Sequence, residues 1–419
     1  MIPNSVLSSQ GGIGTSLTLG LAAKSADYAA RVDRASRDAL KNLVALAIDE
    51  GCRFIVLAGD IFDGDLRNFE TGLFFIDQMR RLEEAGVQVF LILGNHDAEN
   101  RFAPKLSMSA NVHVFESKHA HAISMEELRV TVHGRSFPQR DVTDNIARDY
   151  PTAVAGHFNI GVLHTALQGS ESYHAPYAPC TIEELANFGY DYWALGHVHA
   201  RAVLNTNPYI VYPGNLQGRS SRETGPKGAT IVTVNDGQVI QMEHRDLDVV
   251  RWVTLVVDVA GIRTRTGLLD CIRMAIEGAC AEADDRALAV RLRLIGETTQ
   301  HHLLLIDPQS LRDDVAALFA TLPSDIWLEK LVVATATPLQ PDSLDPTVSG
   351  RLAAEIGALD TDEALNELVE ARVAEIRAKM PAGAHAAAFF ETLRSEAPAR
   401  ARALALSLID DTEAGDAAR

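Results

Sequence analysis

Cysteine, aromatic residues and long apolar runs are scarce in this sequence. Of 419 residues, four are cysteine and 6% are aromatic. The cysteines lack the paired spacing of a metal site, so we expect reduced core thiols. The longest apolar runs, ending at Leu57 and Leu93, are far shorter than the roughly 20 residues of a membrane span. The first residues also lack the basic start and apolar stretch of a secretory signal, which predicts a cytoplasmic location.

Positive charge is also in short supply. The chain has 38 Lys and Arg against 56 Asp and Glu, a formal net charge of −18. Proteins that coat nucleic acid need clustered Lys and Arg to neutralise phosphates, so this composition excludes a general basic coat. Any contact with nucleic acid must be local or assisted by another molecule. Bound divalent cations would offset part of the acidity.

Helical patterns alternate with apolar strands along the first half of the chain. Apolar positions recur at helical spacing from Ala35 to Glu50, and RFIVLAGD then follows as a buried strand. The same order recurs at residues 70 to 85 with VQVFLILGNHD, and more loosely at 181 to 188 with YDYWALGHVHA. Tyr192 and Trp193 in the last strand are expected to fill the core. With the short β-like stretches between these units, the pattern predicts a layered sandwich of sheets with flanking helices.

The pattern changes after Trp252. A helical stretch at 265 to 283, the strand ALAVRLRLIGE, a helix from Ser310 to Leu322 and the strand IWLEKLVVATATP predict a small separate α/β domain. PLQPDSLDPTVSG then forms a linker-like run, followed by two or three helices. The predicted organisation is an atypical N-terminal segment at 1–16, a main domain at 17–250, a small α/β domain at 251–340, and a linker with a helical tail at 341–419.

Four polar motifs follow apolar strands: GDIFD at 59–63, GNHD at 94–97, LHT around His164, and GHVH at 196–199. Ligands in open α/β sheets gather outside the carboxyl ends of the strands, so these motifs are placed to form one site. A two-metal phosphoesterase needs a bridging carboxylate, imidazole and amide donors, and an unligated group that moves protons. Each residue alone is more often structural, but their order at successive strand ends predicts a metal site. The candidate ligands are Asp60, Asn95, His164, His197 and His199.

In this order the four motifs resemble the calcineurin-like metallophosphoesterase superfamily. YDYWALGHVHAR followed by VYPGNLQGRS is similar to the SbcD-type DNA repair exonucleases, and APCTIEELANFGYDYWALGHVHAR resembles their YhaO-like branch. The resemblance extends from about Leu17 to at least residue 340. It implies an α/β fold, a four-layer α/β/β/α sandwich with a small α/β capping domain and a helical C-terminal tail.

The resemblance also implies how metal is held. The expected cofactors are two divalent ions, with Mn favoured and Fe or Zn as alternatives that suit the same donors. Asp60 would bridge the two ions, and His199 would belong to the first site. Asn95, His164 and His197 would complete the second site.

Further residues are assigned to chemistry and to substrate. The resemblance implies that His96 protonates the leaving group or stabilises the transition state, with Asp97 as its orienting neighbour. Arg219 and Arg222, after the GNLQG turn, lie where a phosphate could be steadied. For both arginines an ordinary surface role is the alternative.

One expected motif is missing. The family opens with a strand ending in Asp-x-His, which supplies two ligands of the first metal and should fall just before Leu17. The chain has QGGIGTS there, no Asp or His precedes Asp27, and MIPNSVLSS offers little apolar alternation for a central strand. Two explanations stay open, an altered or misread start and a paralogue that has lost a metal. Either way, the first site is incomplete and we expect one metal to bind better than two.

The predicted function is metal-dependent phosphodiester hydrolysis on DNA, of the exonuclease type, in DNA repair. One alternative is a phosphoesterase on small nucleotides, since fold and metal set do not fix the substrate. The other is a catalytically impaired scaffold subunit that binds DNA and an ATPase. The resemblance implies an SMC-like coiled-coil ATPase as partner, which would supply the DNA-binding charge this chain lacks. The helical tail is the candidate docking surface, and a homodimer is a further alternative.

Overall fold

The structure is a computed structural model. It describes residues 4–9, 26–62, 69–98, 107–167, 177–338, 355–356 and 363–378. The chain divides into two compact units. The first contains Met1–Thr254, Ala279–Val290 and Ser324–Trp327, and the second contains Leu255–Gly278, Arg291–Pro323 and Leu328–Arg419. Among the described residues, no helix combines the length and apolarity that a bilayer crossing requires.

Two six-stranded sheets form the described part of the first unit. The first sheet, in spatial order, contains β12 (Gln238–Asp246), β11 (Gly228–Asn235), β1 (Asn4–Ser9), β2 (Phe54–Ala58), β3 (Gln88–Ile92) and β4 (Val112–Val114). The second contains β5 (His121–Met125), β6 (Val130–Gly134), β7 (Phe158–His164), β8 (Tyr192–Gly196), β10 (Tyr209–Tyr212) and β9 (Ala202–Thr206). Strands β1 to β4 run parallel, as do β6, β7, β8 and β10.

Strand β2 shows why its sequence is a continuous apolar run. All five residues are buried. Ile55 and Leu57 face a core shared with the helices α1 (Ala26–Asp49) and α2 (Phe69–Glu84), whereas Phe54 and Val56 face residues of the other sheet. A strand that is buried on both faces is apolar on both, so its sequence does not alternate.

The second sheet is covered in the same way. A 3-10 helix at Ile146–Asp149 and helix α4 (Ile182–Ala186) pack against its outer face, around the fully buried Trp193. A short helix α3 (Asn95–Ala98) follows β3. The order helix, sheet, sheet, helix is the predicted four-layer α/β/β/α sandwich, and the core positions predicted for Tyr192 and Trp193 are confirmed.

The N-terminal segment is more regular than its sequence predicts. Strand β1 pairs antiparallel with β11, Ser8 opposite Thr230, and parallel with β2, Val6 opposite Phe54. The strand is therefore present at Asn4–Ser9 despite the weak apolar alternation of MIPNSVLSS. Pairing along both edges satisfies the main-chain groups, and a central strand does not depend on apolar alternation. QGGIGTS lies outside the described residues.

The predicted strands and helices after Trp252 are present. Strands β13 (Val250–Asp258), β14 (Ala287–Glu297) and β15 (Ile326–Ala336) form a three-stranded sheet. The helices of this region are α5 (Arg265–Ala283), α6 (His301–Ile306) and α7 (Pro308–Ala320). In α5, Leu268, Ile272 and Ile276 are buried at four-residue spacing, which gives the helix one apolar face. Of the tail, the structure describes a single long helix, α8 (Glu363–Ala378).

The cysteines are free, but only half of them are core residues. Cys52 and Cys180 are buried, whereas Cys271 and Cys280 are partly exposed. Burial raises the pKa of Cys52 to about 12 and that of Cys180 to about 11. The prediction of core thiols is therefore confirmed for the first pair and wrong for the second, which lies on the surface of an amphipathic helix.

Candidate metal centre

Glycines allow the ends of four strands to converge. A Cβ atom on Gly59 would lie 2.7 Å from His164 Nδ1, and one on Gly94 would lie 2.7 Å from His164 Cε1. A Cβ on Gly196 would overlap the carbonyl oxygen of Ala58. Each of these glycines directly precedes a predicted ligand. Glycine is required at these positions because neighbouring strand ends approach too closely for a Cβ atom.

Four of the five predicted ligands are brought together, and we call Asp60, Asn95, His164 and His197 the ligand group. One ligand atom each of Asp60, His164 and His197 lies within 4.8 Å of the others. His164 Nε2 is 2.9 Å from Asn95 Oδ1 and 3.5 Å from Asp60 Oδ2. All four side chains are buried. The main chain is in the left-handed region at Asp60 (φ 54) and His197 (φ 91), a strain that concentrates at functional loops.

The contacts of His164 fit a cation in this group. Its Nδ1 lies 2.9 Å from the carbonyl oxygen of Ala58, which can only accept, so Nδ1 donates. Nε2 faces the oxygens of Asn95 and Asp60, an arrangement that suits either a proton on Nε2 or a metal ion between these atoms. Acceptors that face one another in a buried site need a shared proton or metal ion between them. A carboxylate, two imidazoles and an amide oxygen suit a divalent first-row metal.

Asp60 is held as a carboxylate. Burial acts to raise its pKa, but the nearby imidazoles of His164 and His96 and a hydrogen bond from the His96 N–H outweigh burial and lower the pKa. That N–H lies 3.2 Å from Asp60 Oδ1. The His96 side chain is only partly buried, so it is accessible to solvent.

Asp97 ties two ligand loops together. Its carboxylate accepts hydrogen bonds from the N–H groups of Phe62 at 2.7 Å, Gly94 at 2.9 Å and Ile61 at 3.1 Å. Burial, and then the charge of Asp60, raise the pKa of Asp97 despite these bonds. The side chain therefore fixes the loop after β2 against the loop after β3. Its predicted role as the residue that orients His96 stays a prediction.

His199 lies outside the ligand group, in what we call the Arg219 cluster: His199, Asn215, Arg219 and Glu223. His199 Nδ1 is 2.7 Å from Glu223 Oε1, and Arg219 Nη2 is 3.3 Å from the same ring nitrogen. Glu223 Oε2 accepts from the Arg219 N–H at 2.8 Å and from Asn215 Nδ2 at 2.9 Å. The group of Asp60, His164 and His197 with ligand atoms within 4.8 Å of one another does not include His199, which pairs with a carboxylate and a guanidinium.

Glu223 was not predicted from the sequence. Burial acts to raise its pKa, but its hydrogen bond with His199 and the charges of His199 and Arg219 lower it to about 2. The only sequence signal is an acid four residues after Arg219 in an irregular loop, which does not define a periodic face. Arg222 is exposed and outside the cluster, with its main-chain N–H 3.3 Å from Ser220 Oγ.

Two regions of the chain match known protein families. The calcineurin-like phosphoesterase family profile matches residues 33–201, and the profile of the metallophosphoesterase YhaO middle domain matches residues 252–336. The uncharacterized metallophosphoesterase YhaO of Bacillus subtilis is 32% identical over 347 residues, 81% of this chain and 83% of that protein.

DNA double-strand break repair proteins named Mre11 are more distant relatives. The protein from Methanopyrus kandleri is 24% identical over 50% of this chain and 51% of its own length. The protein from Haloferax volcanii is 23% identical over 79% of this chain and 68% of its own length.

With the sandwich and the ligand group, these matches define the class: the chain belongs to the calcineurin-like metallophosphoesterases. Within that family it is similar to the YhaO type, as the sequence motifs predict.

Proposed function

We propose that this chain hydrolyses phosphodiester bonds of DNA in a metal-dependent, exonuclease-type reaction that serves DNA repair. The observation that carries the proposal is the ligand group, in which His164 Nε2 meets the oxygens of Asn95 and Asp60 at 2.9 and 3.5 Å. The family accounts for phosphoester hydrolysis. The choice of DNA is supported by relatives named DNA double-strand break repair protein Mre11.

The residues of the site have different proposed roles. Asp60, Asn95, His164 and His197 would hold the ion, which when bound lowers the pKa of a water molecule and offsets developing negative charge. His96, fixed by its N–H on Asp60, presents a ring that protonates the departing oxygen. Asp97 keeps the two ligand loops in register.

The test compares three proteins on bis-p-nitrophenyl phosphate and on a 3′-labelled duplex with added manganese. They are this chain, His96→Ala, and a version with Asp-x-His restored before Leu17. We expect the chain to hydrolyse both substrates and His96→Ala to lose at least about 100-fold, the usual contribution of general acid catalysis. Hydrolysis of the small diester without any cleavage of DNA would contradict the DNA assignment.

A second candidate is a scaffold that binds DNA and a partner without strong catalysis. The missing Asp-x-His favours it, because the sequence offers no Asp or His before Asp27. Activity only in the restored form, or in none of the three proteins, would favour the scaffold. A phosphoesterase on small nucleotides would instead cleave cyclic nucleotides faster than duplex DNA.

We also propose a partner, an SMC-like coiled-coil ATPase that docks on the tail. Helix α8 exposes Leu368, Val369 and Ile376, and a net charge of −18 leaves DNA attraction to another chain. Size-exclusion chromatography of the full chain co-expressed with such an ATPase should give one complex, and Leu368→Asp should release it. A dimer of this chain alone, broken by the same substitution, would favour the homodimer.

A further inference from the structure

The Arg219 cluster borders the ligand group. His197 and His199 are two residues apart in one loop, so their Cα atoms lie within about 7 Å of each other. The Asn215 N–H donates to the carbonyl oxygen of His199 at 3.2 Å, and Asn215 Nδ2 donates to Glu223 at 2.9 Å. The loop that carries Arg219 is therefore fastened to the loop that carries a ligand.

Arg219 lies over the face of the His199 ring. The Arg219 Nη2 atom is 3.3 Å from His199 Nδ1 and 3.4 Å from His199 Nε2. An atom at these two distances within the plane of the ring would overlap Cε1, so Nη2 lies out of that plane. Glu223 fixes both partners, because Oε1 is 2.7 Å from His199 Nδ1 and Oε2 accepts from the Arg219 N–H at 2.8 Å. The guanidinium thus lies against the His199 imidazole, and the main chain of Arg219 is held by the Glu223 carboxylate.

This arrangement disfavours a metal ion on His199. An ion bound to Nε2 at the usual distance of about 2.1 Å would lie within about 6 Å of Arg219 Nη2. The negative charge of Glu223 is already balanced by Arg219, whose Nη2 is 3.8 Å from Oε1. The positive charge beside His199 is that of the Arg219 guanidinium.

We propose that Arg219 supplies the second positive charge of this centre. The chain holds one metal ion in the ligand group, and the Arg219 guanidinium, whose planar fork suits phosphate, binds a non-bridging oxygen of the substrate phosphate. Glu223 is a positioning residue that acts through Arg219 and His199. The inference deepens the proposed function and rests on it for the identity of the substrate as a phosphodiester.

The first test counts metal ions at equilibrium. Mn²⁺ is titrated into the full chain while the EPR signal of the free ion is recorded. We expect one bound ion per chain, and none at the same concentrations in Asp60→Asn. Two bound ions per chain, or a spin-coupled Mn pair in the EPR spectrum, would overturn the proposal.

The second test measures inorganic phosphate binding to the Mn-loaded chain by calorimetry. Arg219→Ala should weaken it at least about 10-fold, the loss expected for a hydrogen bond between charged groups. Arg219→Lys, which keeps the charge but loses the planar fork, should fall between. Glu223→Gln should weaken phosphate binding while the Mn count stays at one. The control is Arg80→Ala, an exposed arginine of α2, which should bind phosphate normally.

The outcomes separate this inference from the proposed function. Unchanged phosphate affinity in Arg219→Ala contradicts the inference, and if that variant does not fold, unchanged affinity in Arg219→Lys does the same. A chain that binds one Mn and needs Arg219 for phosphate, yet cleaves no DNA, keeps the inference and loses the function. A chain that cleaves DNA with two Mn ions keeps the function and loses the inference.

Discussion

The ligand group and the Arg219 cluster have similar parts but different charge balance. Each has a carboxylate beside an imidazole, the buried Asp60 beside His164 and the partly buried Glu223 beside His199. In the second, Arg219 lies within 3.8 Å of the carboxylate and completes the charge. In the first, Asp60 Oδ2, Asn95 Oδ1 and His164 Nε2 face one another and form a candidate metal site. The comparison teaches that similar residue types surround a candidate ion position in one cluster and an arginine in the other.

The largest effect should follow from Asp60→Asn, which removes the carboxylate of the ligand group. We expect Mn²⁺ binding to be lost and hydrolysis of bis-p-nitrophenyl phosphate to fall at least about 1,000-fold, because the metal contribution is worth several kcal/mol. Metal titration and initial rates measure both effects. Near-normal Mn²⁺ affinity in this variant would remove the distinction between the two clusters.

Gly94→Ala should damage the ligand group by crowding. The added Cβ would lie 2.7 Å from His164 Cε1 and 2.8 Å from the Asp60 N atom, so we expect a loss of about 3 kcal/mol in the free energy of unfolding. Urea denaturation measures it. Gly278→Ala is the matched control, since nothing lies within 4 Å of its Cβ position in helix α5, and it should stabilise by roughly 0.5–1 kcal/mol. Equal effects at both positions would contradict the close approach of the strands.

Glu223→Gln should give a smaller loss with a defined pH dependence. The folded-state pKa of about 2 lies below the usual 4.5, so the carboxylate stabilises the fold above pH 4.5 and this contribution is lost as the pH falls toward 2. We expect the variant to be about 1–3 kcal/mol less stable at pH 7. Urea denaturation from pH 7 to pH 3 should show the gap closing. A gap that stays constant would show that the charge of Glu223 is not what stabilises the cluster.

Arg222→Ala should have the smallest effect. Its side chain is exposed and outside the Arg219 cluster, so it acts on a phosphate only through screened attraction. We expect KM for the labelled duplex to rise less than about threefold at low salt and not at all at high salt. A salt-independent loss of substrate affinity as large as that of Arg219→Ala would show that Arg222 acts together with the Arg219 cluster.

Most of the sandwich and four candidate ligands could be predicted because they are encoded locally. An apolar run such as that of β2 followed by Gly-Asp defines both a buried strand and a residue at its end. Glu223 could not be predicted, because its contact with His199 arises from an irregular loop folding back through Asn215. The role of Asp97 was hidden for a similar reason, since its partners are main-chain N–H groups, which carry no sequence signature.

Helix α6 shows that residue type alone does not predict which side chains are buried. A His-His pair is typical of a surface, yet His301 and His302 are buried, and Leu303, Leu305 and Ile306 beside them are exposed. His301 Nδ1 lies 2.8 Å from Thr335 Oγ1, so a tertiary hydrogen bond makes its burial tolerable. Such a bond depends on where β15 runs, which the local pattern does not contain.

The central position of β1 bears on how the chain is made. Asn4–Ser9 lie between β2 and β11, although β11 begins only at Gly228. A ribosome releases the chain from its N-terminus, so this strand must wait for its second neighbour until residues 228–235 have been made, with one edge open to foreign strands. Nascent chains of this protein are therefore expected to depend on a chaperone until β11 has emerged, and stalled products that end before Gly228 should aggregate.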